Sequence, residues 1–369
     1  MRIIRNLACY SLAMDYTLCD ISAFRYHRTP PQVVMLCPPL PPLNPGRKKQ
    51  SLNAHPLVSE VIGTPLHTLA RSKSERPRSS SLQPHLMTGD IPFGSIQSTP
   101  LGADTTSPLL TLFHLAQHIP ETHLIMALYE FCGWFTVFKP TPRIEALLRE
   151  AERSSLIDSS FGWRRTRNAT GAPSDLWQRP PLIDLDELAD FANAMSSRRG
   201  GASFLRAAQQ VTGITASPFE AQASMLLSLP RSRGGEALPG LANNQRIALT
   251  REATHLSGKT TCYADILFEG GKAAPLIIEC QGKSAHANAA AVINDSDRTT
   301  ALQHMGYDVI LLTYSQIVQQ SQFHIVKKLI ATKLGISLRS KTPKLKKAES
   351  DLRRDLFIDW NMLGSCDKR

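Results

Sequence analysis

Two short apolar runs joined by a Gly-Gly turn constrain the fold of this chain more than any other feature. The runs are residues 263–268 and 277–283, and the turn is residues 269–272. Runs rich in β-branched and aromatic residues on either side of such a turn are typical of a β-hairpin. The sequence therefore predicts an antiparallel strand pair around which a domain can assemble.

Acidic side chains lie at corresponding places on the two predicted strands. Successive side chains of a strand point to opposite faces, so Glu279 and Gln281 share one face. If the hairpin is symmetric about Lys272, Asp265 lies opposite Glu279, with Cβ atoms about 4.5–5.5 Å apart. Two carboxylates this close repel each other unless a cation lies between them, and hard oxygen ligands favour a Mg²⁺-like ion. The alternative is a surface hairpin whose acids face solvent.

The order Asp, turn, apolar strand, Glu-x-Gln resembles the PD-(D/E)XK nuclease superfamily. The resemblance extends through a predicted helix with Asp295 and Arg298 to an apolar strand at residues 309–313, an order similar to small nucleases related to very-short-patch-repair endonucleases. It implies an α/β (α+β) fold with a restriction-endonuclease-like mixed sheet. It also implies Mg²⁺ (or Mn²⁺) as cofactor, DNA as partner and metal-dependent endonuclease activity on phosphodiester bonds.

The same resemblance implies a role for five residues. Asp265 and Glu279 are the metal ligands, and Glu220, at the start of a preceding helix, assists the metal shell. Arg298 neutralises the scissile phosphate. Gln281 positions water, although the family usually has lysine at its place. Because a neutral amide acts only through hydrogen bonds, this departure leaves catalysis itself open.

Each of these roles has a structural alternative. Ser217, Pro218 and Glu220 form a capping box that starts a helix without any catalytic function. Asp295 and Arg298 are three residues apart, which allows a local ion pair on one helix face. Two further residues of the resemblance are read either as active-site groups or as ordinary solvated side chains: Lys283 and His286.

Charge and cysteine usage restrict the partners of this protein. The 369 residues carry a formal net charge of +11, with a sequence pI of about 9.4, and this excess favours a polyanion such as DNA. The seven cysteines are odd in number and contain no C-x-x-C pair, which argues against cysteine-ligated zinc and against disulfides.

Hydrophobic patterning indicates a cytoplasmic protein without membrane contact. Residues 1–14 begin basic and turn apolar, but no small-residue cleavage pattern follows them. No stretch approaches the roughly 20 apolar residues that a transmembrane helix needs. A homodimer is compatible with these features, and nothing in the sequence requires one.

Composition divides the chain into four segments. Residues 1–105 are rich in Pro, Ser and basic residues and suit short strands or loops, whereas residues 106–215 carry repeated helix-start signals. Residues 216–336 form the nuclease-like domain, and residues 337–369 are a basic C-terminal tail that either adds salt-sensitive phosphate affinity or only solubilises the chain. The N-terminal region is therefore expected to be mostly helical and partly irregular.

Residues 15–215 loosely resemble the regulator-type module of abortive-infection antitoxins. Together with Gln281, this resemblance supports an alternative function, a catalytically inactive DNA-binding regulator or antitoxin-like protein with a nuclease-derived fold. A third interpretation is an interaction protein with no role in nucleic-acid binding.

Overall fold

The computed structural model describes residues 16–41, 50–74, 80–154, 162–168, 170–269, 274–282 and 289–364. It combines helices with parallel and antiparallel strand pairs, which confirms the expected α/β class. The chain forms two compact units, Met1–Thr111 with Pro140–Ile157 and Leu112–Lys139 with Asp158–Arg369. The segment boundaries predicted from composition, at residues 105, 215 and 336, stay predictions.

The helices follow one another along the whole chain. They are α1 Asp20–Arg28, α2 Pro31–Met35, α3 Gln50–Asn53, α4 Pro108–Leu115, α5 Glu121–Cys132, α6 Pro142–Arg153, α7 Leu185–Ala194, α8 Gly201–Ala208, α9 Pro218–Ser228, α10 Arg251–Ser257, α11 Ala289–His304, α12 Tyr314–Val318, α13 Gln320–Lys333 and α14 Pro343–Leu356. Shorter helical turns are the π turn Val58–Ile62 and the 3₁₀ turns Arg231–Arg233 and Trp360–Met362. Within the described ranges, no helix combines the length and apolar character that crossing a bilayer requires.

In the part of the chain that the structure describes, the strands form three sheets. They are β1 Thr17–Leu18, β2 Leu66–Ala70, β3 Leu82–Leu86, β4 Ile96–Ser98, β5 Asp104–Thr106, β6 Phe135–Val137, β7 Arg164–Arg167, β8 Pro173–Gln178, β9 Leu241–Ala248, β10 Thr261–Phe268, β11 Leu276–Gln281 and β12 Asp308–Thr313. The sheet orders are β3-β2-β1-β5-β4, β6-β8-β7 and β12-β11-β10-β9.

The first unit is built on the five-stranded sheet, in which β1 pairs with β5 in parallel and with β2 antiparallel. Short strands were expected in this part of the chain. Leu18 on β1 and Leu66 on β2 pack with Ala23 on α1 and with Val58 and Ile62 on the π turn. These five side chains are buried, so the core of the unit lies between the sheet and its first helices.

The second unit contains the other two sheets. Residues 106–215 were expected to be helical, and the chain forms β6–β8 there as well. β6 is only three residues long, β8 has no apolar alternation, and β7 consists of Arg164, Arg165, Thr166 and Arg167, so the sequence gives little indication of strands here. In the four-stranded sheet, β11 pairs with β12 in parallel and with β10 antiparallel.

Helices α9 and α11 pack near the predicted hairpin, and their starts and contacts position the site. Ser217 caps α9 by accepting a hydrogen bond from the Glu220 N–H, and Pro218 occupies the first turn, as the sequence predicts. The Asn243 side chain on β9 donates to Ser224 Oγ on α9 at 2.7 Å, which ties this helix to the sheet. Leu302 on α11 belongs to a buried cluster with residues of β9, β10 and β11.

A carboxylate cleft as the candidate functional site

The predicted hairpin is present as strands β10 and β11. Its pairs are Ile266 with Ile278, Leu267 with Ile277, and Phe268 with Leu276. This is the register of a hairpin symmetric about residue 272, which confirms that part of the prediction, although residues 270–273 lie outside the described ranges. Continued by one pair, the same register places Asp265 opposite Glu279.

The Asp265 side chain takes the place of the next ladder bond. Its Oδ2 accepts a hydrogen bond from the Cys280 N–H at 2.8 Å, and its backbone oxygen accepts one from Asn243 Nδ2 at 3.0 Å. The Asp265 carboxylate is therefore held against the neighbouring strand β11.

Glu279 forms an ion pair with a basic side chain of α11. Arg298 Nη2, on α11, donates to Glu279 Oε1 at 2.8 Å and also to the backbone oxygen of Tyr263. The side chains of Glu279 and Arg298 are 12% and 27% exposed, so this ion pair is largely shielded from solvent. α11 thus presents Arg298 to Glu279 on the hairpin.

Four of the five predicted site residues line one cleft. Asp265, Glu279, Gln281 and Arg298 surround a space of about 170 Å³, together with Cys280, Gly282, Thr299, Leu302 and Leu311. The cleft opens where β10, β11 and the middle of α11 meet. Residues separated by up to 33 positions in the numbering are therefore brought to one place by the hairpin and the following helix.

The fifth predicted residue, Glu220, is buried, interacts with the charge of Asp265 and completes a helix cap. Its Oε1 accepts a hydrogen bond from Ser217 Oγ and its Oε2 accepts one from the Ala216 N–H, both at 2.7 Å. Burial and, to a smaller extent, the negative charge of Asp265 raise the pKa of the Glu220 carboxyl to about 7. Its structural role as a cap is therefore present, and its role in a metal shell stays a prediction.

The three carboxylates converge on one point of β11. Burial raises the pKa of the Cys280 thiol well above its ordinary value, and the negative charges of Asp265, Glu220 and Glu279 raise it further. Each of these charges must lie near the Cys280 sulfur to act on it. Negative charge therefore accumulates around Cys280 on β11.

Three residues of the family resemblance are not tested by these contacts. Lys283 and His286 lie outside the described residues, and Asp295 belongs to α11 but its side chain is not described. The local ion pair between Asp295 and Arg298 therefore stays a prediction, while the described partner of Arg298 is Glu279.

The carboxylate oxygens that line the cleft are suitable ligands for a small hard cation. Mg²⁺ usually binds one or two carboxylates and keeps several waters, and the cleft offers Asp265 and Glu279 with open volume beside them. Among the described residues, a group of three close metal-ligating side chains occurs elsewhere, in the first unit: Asp20, His67 and His85. Sequence reasoning missed this group because its members come from three elements and have no short-range spacing.

Comparisons with protein-family models, with curated proteins and with solved structures found no match.

Proposed function

We propose that this protein is a metal-dependent DNA endonuclease whose reaction centre is the carboxylate cleft. One observation carries the proposal: Asp265 and Glu279, from adjacent strands, line the same cleft as Gln281 and Arg298. Acids for a metal, an amide for water and a guanidinium for phosphate are the groups that phosphodiester hydrolysis requires.

Asp265 and Glu279 hold the Mg²⁺ (or Mn²⁺) ion in this proposal. Such an ion polarises a phosphoryl oxygen and lowers the pKa of its bound water. Gln281 orients the attacking water through its amide. Water forms a bond to phosphorus while a phosphorus–oxygen bond of the backbone breaks, which leaves a phosphomonoester end and a hydroxyl end.

Arg298 exchanges partners in the course of substrate binding. Its bond to Glu279 holds the guanidinium at the cleft in the substrate-free state. Because guanidinium binds phosphate oxygens bidentately, an entering phosphodiester draws Arg298 from Glu279 and releases this carboxylate for the ion. The cleft therefore becomes a full metal site when nucleic acid is present.

The net charge supports DNA as the partner. A formal charge of +11 attracts a polyanion over distances of about the Debye length, roughly 8–10 Å at moderate salt. The cytoplasmic location expected from the sequence belongs to the same proposal, and a homodimer is compatible with it.

A second candidate function is a DNA-binding regulator without catalysis. The observation that favours it is the ion pair between Arg298 and Glu279, since it neutralises one carboxylate of the cleft without a metal. Gln281 in place of the usual family lysine points the same way. In this alternative the cleft is a structural remnant and DNA binds through basic side chains.

Incubation of supercoiled plasmid with the full chain separates the two functions. We expect nicking with Mg²⁺ and none with EDTA. Asp265→Asn should abolish nicking while DNA affinity is retained, and Glu269→Gln, an exposed acid just beyond the end of β10, serves as the matched control with unchanged nicking. Salt-sensitive binding without nicking would establish the regulator, and absence of DNA binding at low salt would reject both functions.

A further inference from the structure

Three side chains of the first unit converge from different elements. Asp20 is the first residue of α1, His67 lies on β2 and His85 lies on β3. His67 Nδ1 is 3.8 Å from Asp20 Oδ1, His85 Nδ1 is 3.5 Å from Asp20 Oδ2, and His85 Nε2 is 2.9 Å from His67 Nδ1. Ligands about 2.0–2.2 Å from one ion are themselves about 3–4 Å apart, so the spacing suits a shared ion.

The two imidazole rings meet through their nitrogen edges. Their centroids are 4.9 Å apart, with 25° between the ring planes, whereas the facing nitrogens of His67 and His85 are only 2.9 Å apart. In the absence of a metal this distance is that of a hydrogen bond, in which the N–H of one neutral ring meets the lone pair of the other. A metal ion that binds both nitrogens would replace this shared proton. His85 also turns its Nδ1 toward Asp20, so either of its nitrogens can be the ligand.

The exposure of the group suits an ion that enters from solvent. The Asp20 side chain is 1% exposed, whereas those of His67 and His85 are 20% and 29% exposed. A carboxylate at this depth requires hydrogen bonds or positive charge to compensate its burial. The Ile21 N–H supplies one hydrogen bond to Asp20 Oδ1 at 2.6 Å, and a metal ion would add positive charge. A metal ion can reach the site from solvent on the side of the two imidazoles. Water molecules can complete its coordination there.

The backbone holds these ligands in place without an ion. The Cys19 N–H donates to the His67 oxygen and the His67 N–H donates to Ser22 Oγ, both at 2.9 Å, so residues on either side of Asp20 fix His67. Asp20 itself has a φ of +51°, a left-handed conformation in which aspartate is enriched relative to most residues other than glycine.

We infer that Asp20, His67 and His85 bind a divalent transition-metal ion, with Zn²⁺ as the expected species. Two imidazoles and one carboxylate favour first-row transition ions, whereas Mg²⁺ and Ca²⁺ prefer oxygen ligands alone. The absence of C-x-x-C pairs does not bear on this site, because its ligands are histidines and an aspartate. The site is in the first unit and does not depend on the proposed endonuclease activity.

Zinc binding by the full-length, metal-depleted protein tests the inference. At about pH 7.5 we expect wild-type protein to bind Zn²⁺ at this site, and His85→Gln to weaken that binding by more than about 100-fold, beyond the typical effect of losing an outer-shell partner. His85 is chosen because it is the most exposed of the three ligands, so the variant should fold. His304→Gln, an exposed histidine of α11, is the matched control and should bind like wild type.

Cobalt substitution provides a second readout. Co²⁺ should give visible ligand-field absorption in wild-type protein that is lost in His85→Gln and in Asp20→Asn. Binding should also weaken as the pH falls, because the imidazoles must lose their protons to bind a metal. Equal zinc affinity and equal Co²⁺ absorption in wild type, His85→Gln and Asp20→Asn would overturn the inference, since any bound ion would then lie elsewhere.

Discussion

Glu220 shows how the surroundings of one residue set its proton affinity. It lies in the first turn of α9, buried, with Asp265 as a nearby negative charge. Burial and then this charge raise the pKa of its carboxyl to about 7, whereas a glutamate in an unfolded chain titrates near 4.5. Between these two values the folded state holds a proton that the unfolded state releases.

The free energy of unfolding should therefore fall as the pH rises from about 4.5 to 7. The contribution of Glu220 is fully present below its unfolded pKa and is lost as the pH rises through its folded pKa. Glu220→Gln removes the titration, so the wild type should lose stability relative to this variant over that range. Denaturant unfolding at a series of pH values measures the difference.

Glu187 provides the control for this comparison. It occupies the first turn of α7 behind the N-cap Asp184, as Glu220 does behind Ser217 on α9, but it is exposed. Glu187→Gln should leave the pH profile parallel to that of wild type. A parallel profile for Glu220→Gln as well would show that this carboxyl does not titrate abnormally.

For single residues, the sequence predicted the position of a side chain in the hairpin better than it predicted the hydrogen-bond or ion-pair partner of that side chain. The hairpin register was predictable because a Gly-Gly turn and two apolar runs are local signals. The bond from Cys280 to Asp265 and the ion pair from Arg298 to Glu279 were not, since nothing local specifies which carboxylate an arginine on a later helix binds. The group of Asp20, His67 and His85 has the same origin, because folding alone brings it together.

Among the helices, α14 differs most from expectation. The sequence indicated a basic tail, yet Pro343–Leu356 is a helix whose Leu352 and Leu356 are buried. Thr342 caps it and Pro343 starts it, the same signal that correctly predicted α9. The signal was available in the sequence, and the run of lysines obscured it.

A network of buried ion pairs connects α14 with other elements of the second unit. Lys341 Nζ binds Glu236 Oε1 at 2.8 Å and Glu349 Oε2 at 3.0 Å, and Lys327 Nζ on α13 binds Glu236 Oε1 at 2.7 Å. All four side chains are buried. Lys341 belongs to the segment that was expected either to add phosphate affinity or only to solubilise the chain, and its ammonium group instead forms internal ion pairs.

Removing one member of this network should strongly destabilise the second unit. Glu349→Gln leaves Lys341 and Lys327 with less negative charge in a buried place, and we expect a loss of about 3 kcal/mol in the free energy of unfolding. Urea denaturation measures it. Asp351→Asn, on the exposed side of the same helix, should leave the unfolding midpoint near that of wild type. Equal effects of the two changes would contradict a structural role for the network.

The buried charge network stabilises the fold only above a certain pH. Burial alone raises the pKa of Glu349, but the hydrogen bond from Lys341 and the charges of Lys341 and Lys327 outweigh it, so the pKa is lowered from 4.5. The stabilisation by Glu349 is therefore present above pH 4.5 and is lost as the pH falls below that value. The deficit of Glu349→Gln should accordingly shrink in acid.

For the whole molecule, the sequence indicated the α/β class, whereas the association of distant segments into units depends on the folded chain. The first unit recruits residues 140–157 after the chain has already entered the second unit. Which segments associate depends on contacts between residues far apart in sequence, such as β1 with β5. The amino-acid composition of a segment indicates whether it prefers burial or exposure. It does not indicate which distant strand that segment pairs with.

Each unit has its own hydrophobic cluster, one around Leu18, Leu57 and Leu66 and another around Ala264, Ile277 and Leu302. A unit with its own core unfolds cooperatively by itself, so calorimetry of the full chain should resolve two transitions. Zn²⁺ should raise the transition of the first unit, because a ligand stabilises the state that binds it. Glu349→Gln should lower the transition of the second unit.

Each transition can be assigned to a unit by measuring the effect of Zn²⁺ in each of the two variants. In His85→Gln the zinc-dependent rise should vanish while the second transition stays in place, and in Glu349→Gln the zinc-dependent rise should persist on the first. A single transition that responds to both zinc and Glu349→Gln would mean that the units unfold together. The metal site and the buried charge network would then stabilise one cooperative structure, despite the separation of their cores.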